Sequence, residues 1–68
     1  MKHGYFEVYV KDGCQGFSTF FDAEFPNTPK TADVVRKAVE LKLIEQDDVE
    51  FVSYAQEIPE SEYVEATK

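Results

Sequence analysis

The 68-residue chain carries 14 acids against seven Lys and Arg, a formal net charge of −7. Residues 1–42 hold six acids (Glu7, Asp12, Asp22, Glu24, Asp33, Glu40) and six bases (Lys2, Lys11, Lys30, Arg36, Lys37, Lys42), so the whole excess falls in residues 43–68, where eight acids face Lys68 alone. That imbalance argues against direct binding to nucleic acid or to an anionic membrane and leaves a basic protein partner open.

One domain is expected over residues 1–68, with an acidic C-terminal third at 43–68. A chain this short buries only about 60% of its unfolded surface, so it draws on aromatic packing or on self-association. Cys14 is the one cysteine, so no internal disulfide is available, and no Cys/His spacing suggests a metal. A lone thiol suits a reducing compartment, and no run approaches the ~20 apolar residues of a membrane span. The expectation is a cytoplasmic protein with no cofactor.

Tyr5–Lys11 alternates, with Phe6, Val8 and Val10 on one face and Tyr5, Glu7, Tyr9 and Lys11 on the other. Asp12-Gly13 then signals a hairpin, with Gly16 closing a loop of about five residues. The second strand, Phe17–Phe25, places Phe17, Thr19, Phe21, Ala23 and Phe25 inward and Ser18, Phe20, Asp22 and Glu24 outward.

Pro26-Asn27-Thr28-Pro29 breaks the pattern, and Thr28 before Pro29 reads as a helix cap. From Lys30 to Leu41 the spacing is helical, with Thr31, Val34, Val35, Ala38 and Leu41 on one stripe. The expected core unites Phe6, Val8, Val10, Phe17, Phe21, Val35, Ala38 and Leu41. Glu45–Asp48 is a polar turn, and Val49–Ile58 is the third strand. Its two faces are nearly equal: Val49, Phe51, Ser53 and Ala55 against Val52, Tyr54 and Ile58. Pro59–Glu65 can start a short last helix, anchored by Ile58, Tyr63 and Val64. The fold expected is α+β: a three-stranded antiparallel sheet, β-β-α-β in order 2-1-3, with one helix on one face.

Little of the chemistry-bearing composition converges. His3 and Cys14 would form a catalytic pair only if the terminus curled over the hairpin loop, so no nucleophilic site is expected. Asp22 with Glu24, and Asp47 with Asp48, read as solvated charge, because a helix on three strands offers no cleft to separate two carboxyl pKa values. Glu45–Glu50 lacks the spacing and central glycine of a calcium loop. Gln15–Phe21 faintly resembles an RNA-binding signature, but Gln stands where a base belongs, Ser18-Thr19 replace its second small-plus-aromatic step, and a charge of −7 opposes phosphate.

Two features remain. One is the surplus of aromatic side chains on the sheet face away from the helix, Tyr5, Tyr9 and Phe20. The other is the acidic segment 45–65. The expected partner-binding residues are Asp47, Asp48, Glu50, Glu57, Glu60 and Glu62, with Tyr54 and Tyr63 as aromatic anchors.

The segment Val49-Glu50-Phe51-Val52-Ser53-Tyr54-Ala55-Gln56-Glu57-Ile58, followed by Pro59-Glu60-Ser61-Glu62-Tyr63, resembles the C-terminal half of small uncharacterised accessory proteins of phages and conjugative elements of Gram-positive bacteria. The resemblance covers about half of the chain and contains no catalytic motif. It implies a mobile-element accessory protein, a setting that includes small acidic inhibitors of host defence such as anti-CRISPR proteins. The expectation is therefore a non-enzymatic interaction module whose carboxylates stand in for phosphates against a basic protein. The alternative is a small homodimeric structural or regulatory protein whose charge serves solubility.

Overall fold

The computed structural model describes residues 2–68 and runs β1 (Lys2–Asp12), β2 (Gln15–Phe25), α1 (Thr31–Glu40), a 3₁₀ turn (Gln46–Phe51), β3 (Val52–Ile58) and α2 (Glu60–Ala66). The strands form one antiparallel sheet in the order β2-β1-β3, so the α+β arrangement with β1 at its centre is as the sequence implies.

The hairpin is tighter and longer than expected. Asp12 pairs with Gln15, which leaves a two-residue turn of Gly13-Cys14 in place of a five-residue loop. Gly13 sits at φ +64°, the first-position glycine that two-residue hairpin turns demand. Pairing then runs unbroken to Lys2↔Phe25, which takes His3 into β1 as well.

Helix α1 starts after Lys30, not after Thr28. The Asp33 carboxylate accepts the Lys30 N–H at 3.0 Å, satisfying an amide that the first turn would leave open. At the other end the Leu43 N–H donates to the Ala38 carbonyl and the Lys42 N–H to the Val39 carbonyl. Those two bonds form a Schellman motif, with Lys42 at φ +62° in the position that glycine usually fills.

The third strand starts three residues later than its composition suggests. Gln46–Phe51 winds as a 3₁₀ turn because the Asp48 carboxylate accepts the Glu45 N–H at 3.0 Å, closing the first turn. In β3, Tyr54 pairs with Tyr9 while Val52 pairs with Val10, so Ser53 is an extra residue, a bulge. The bulge resolves the face that the pattern left open. Val52, Ala55 and Glu57 join the inner face, and Tyr54, Gln56 and Ile58 the outer one.

Phe6, Val8, Val10 and Phe21 from the inner face pack against Val34, Val35 and Ala38 of α1 and against Ile44 after it. Phe6–Phe21 and Phe6–Phe25 ring centroids are 5.7 and 5.4 Å apart. Each fully buried aromatic or branched side chain contributes about 1.5–3 kcal/mol. Phe17 and Leu41, both expected in the core, are each 46% exposed. Phe17 lies on the correct face, but α1 packs over β1 and β3 and does not reach the turn end of β2. Leu41 lies past the last helical residue, at the cap, so the chain turns away before it can pack.

Ile58 is buried outside that core. Its partner across the ladder is Tyr5, on the outer face, where the Tyr5 and Tyr63 rings lie 4.8 Å apart. Helix α2 thus covers one end of the face opposite α1, and it does so through Tyr63, while Val64 points to solvent. Among the described residues no helix is long and apolar enough to cross a membrane.

Candidate interaction surface

The outer face is read from the strand registers. Its rows are Glu24 and His3; Asp22, Tyr5 and Ile58; Phe20, Glu7 and Gln56; Ser18, Tyr9 and Tyr54; and, next to the turn, Gly16 and Lys11. Alternation sends the β1 and β2 members outward, since their neighbours Phe6, Val8 and Val10 fill the core, and pairing with β1 past the bulge sets those of β3. Helix α2 covers the Tyr5–Ile58 end and leaves the Tyr9–Tyr54 end open.

The open end is built from aromatic rings. Tyr9 and Tyr54 lie 5.4 Å apart at 33°, a cross-strand pair. Tyr9 also leans over Gly16, where a Cβ would stand 2.5 Å from its hydroxyl oxygen, so a side chain there would push the ring aside. Glu7 sits in the middle and accepts a hydrogen bond from Gln56 Nε2 at 2.9 Å.

Carboxylates ring these tyrosines. Partial desolvation raises the Tyr54 phenol above its ordinary value, and Glu7, Tyr9 and Glu62 beside it raise it further. Desolvation does the same for Tyr5, with Glu60, Asp22 and Tyr63 adding to it. After desolvation, the charges that add to the two shifts come from β1, β2 and α2, which bring carboxylates to one face. His3 Nε2 meets Asp22 Oδ2 at 3.0 Å. Arg36 and Lys37, by contrast, lie with Asp33 and Glu40 along α1, at 3.8 and 3.6 Å. Among the described residues, Glu60 and Glu62 have no cation within 4.0 Å.

The eight expected binding residues do not form one patch. Tyr54, Glu60, Glu62 and Tyr63 come together on the outer face. Glu57 belongs to the inner face, where a Cβ on Gly4 would stand 2.8 Å from its Oε2. Asp47, Asp48 and Glu50 ride the 3₁₀ turn, whose Val49 packs against the core and lines a cleft with Val35 and Val39 of α1. Sequence reasoning left Glu7 and Asp22 out. Their parity already placed them beside Tyr5 and Phe20, but linking them to the acidic tail required the position of α2.

Cys14 is exposed at the hairpin turn, at the end of the sheet away from His3. Among the described residues no group of three or more His, Cys, Asp or Glu side chains is arranged to hold a metal ion. No protein-family model, curated protein or solved structure matches the chain.

Proposed function

We propose that this chain is a non-enzymatic interaction module that docks a basic protein on its outer sheet face. The observation that carries the proposal is the meeting of Glu7, Asp22, Glu60 and Glu62 around Tyr5 and Tyr54. Tyrosine offers a large, stiff contact area with a polar end, and flanking carboxylates add charge-assisted hydrogen bonds to Lys or Arg. A guanidinium can also stack on the exposed Tyr54 ring. In a mobile-element setting such a surface would occupy the nucleic-acid-binding groove of a host defence protein, its carboxylates standing where phosphates bind.

Capture on the immobilised chain from a Gram-positive lysate tests this. The captured protein should elute with rising salt, be displaced by duplex DNA, and be held far less well by a Glu7→Gln, Glu60→Gln, Glu62→Gln variant that retains its fold. Capture that ignores salt, DNA and the triple substitution would refute the charge-driven reading.

A further inference from the structure

The two edges of the sheet are unlike. The β3 edge is short, at seven residues, and is interrupted by the Ser53 bulge. It also carries the inward-facing Glu57 and follows directly on the 3₁₀ turn. These are the features by which proteins blunt an edge against further pairing. The β2 edge is neither short nor bulged and carries no charge on its inner face, although α2, which packs on β1 and β2, lies over its outer face. It runs eleven residues, Gln15–Phe25, in continuous register with β1, and holds no proline and no lysine.

The side chains along β2 are sorted by face. Inward lie Phe17, Thr19, Phe21, Ala23 and Phe25, and of these only Phe21 is buried, because α1 packs over the other two strands. Outward lie Ser18, Phe20, Asp22 and Glu24. A strand laid against this edge would therefore meet apolar surface on one side and carboxylates on the other.

We propose that the free edge of β2 takes up an extended, antiparallel segment of the partner as a fourth strand, one that alternates basic with apolar side chains. The proposal rests on the basic-partner reading above and adds the mode of binding. Charge decides the occupant. A second copy would bring its own −7 and offer Asp22 and Glu24 no cation on β2, whereas a basic strand pairs with both.

The register also fixes which backbone groups take part. Asp12↔Gln15 closes a two-residue turn and is a hydrogen-bonded pair, so odd-numbered residues of β2 bond to β1. The N–H and C=O groups of Ser18, Phe20, Asp22 and Glu24 then point to the free edge. A residue opposite Asp22 shares its face and directs its own N–H at β2, so the basic residues of the added strand are the ones that form the ladder.

The probe is an acetylated and amidated peptide of five Lys-Val repeats, compared with a block Lys5Val5 peptide and with two N-methylated forms. The alternating peptide should bind and slow amide exchange at Ser18, Phe20 and Asp22. N-methylation of the lysines should cost about tenfold or more in affinity, since several ladder bonds are lost together, while N-methylation of the valines should cost little. Ser18→Pro, which removes one edge N–H at a position where edge strands accept proline, should weaken binding with the fold intact by circular dichroism.

Equal binding of all four peptides would overturn strand addition and leave surface docking standing. Absence of peptide binding alongside salt-sensitive partner capture would also overturn it alone, while failure of both experiments would end both proposals. A dimer that Ser18→Pro dissociates would assign the edge to a second copy and overturn the basic strand.

Discussion

Lys42 holds a left-handed backbone conformation, φ +62°, as the residue that completes the Schellman motif after α1. A Cβ in that conformation crowds the following carbonyl, a strain of about 1–2 kcal/mol that glycine does not feel. Lys42→Gly should therefore stabilise the fold by about 1 kcal/mol, less the entropy glycine returns to the unfolded chain. An urea midpoint that falls on this substitution would show that the lysine stem contributes packing greater than its strain. Tyr5 and Tyr54 add a pH dependence on the alkaline side. Their phenols are raised in the fold, by desolvation first and by neighbouring carboxylates next, so the folded state holds those protons more firmly than the unfolded one. The stability they contribute is complete below the ordinary tyrosine value of about 10 and is lost as pH climbs through the raised values. Urea midpoints between about pH 9 and 11 should fall more steeply for the native chain than for Tyr5→Phe, Tyr54→Phe. Parallel curves would refute the coupling. At this scale the sequence told the face of a residue better than its depth: alternation put Phe17 inward, but burial depended on how far α1 extends.

Helix α2 is seven residues long and too short to persist alone, so its order depends on what it covers. Tyr63 on Tyr5, with Ile58 buried beside them, is the contact that holds it. Tyr63→Ala should strip amide protection from Glu60–Ala66 while the hairpin between Lys2 and Phe25 keeps its own. Loss of protection throughout would mean that the outer layer is part of a single cooperative unit with the core. The helix itself was legible from Pro59 and the acids that follow it, whereas its side of the sheet was not. The third strand failed for a related reason. Its two apolar sets were nearly equal because Ser53 is an inserted residue, and neither set survives a bulge: Val52 and Ala55 share a face although three positions separate them. Period-two arguments assume an unbroken ladder. The polar run before the strand likewise concealed a 3₁₀ turn that depends on one hydrogen bond, Glu45 to Asp48.

Across the whole molecule, charge is layered. The α1 side carries Arg36 and Lys37 in pairs with acids, while the outer face gathers Glu7, Asp22, Glu24, Glu60 and Glu62 against Lys11. Like charges that folding brings together repel, and salt screens them over about 10 Å. Raising sodium chloride from about 20 to about 200 mM should increase the urea midpoint, and much of that gain should vanish in Glu7→Gln, Glu60→Gln, Glu62→Gln. A midpoint that salt does not move would mean that the face is open enough for water to screen it already. The sequence located the excess charge in residues 43–68, but a linear count cannot see that β1 and β2 add acids to the same face, or that Glu57 leaves it.

The order β2-β1-β3 also has a consequence for vectorial synthesis. The central strand emerges first, and its hairpin partner follows across a turn of two residues, so one edge of β1 closes at once. The other edge waits for Val52–Ile58, and the outer face for α2. Between those moments the nascent hairpin displays Tyr5, Tyr9 and the whole unpaired side of its middle strand, the kind of edge that invites association. A ribosome-bound chain stalled with Val52 onward still inside the exit tunnel should therefore engage holdase chaperones, and one carried on a linker that brings Ala66 outside should let them go.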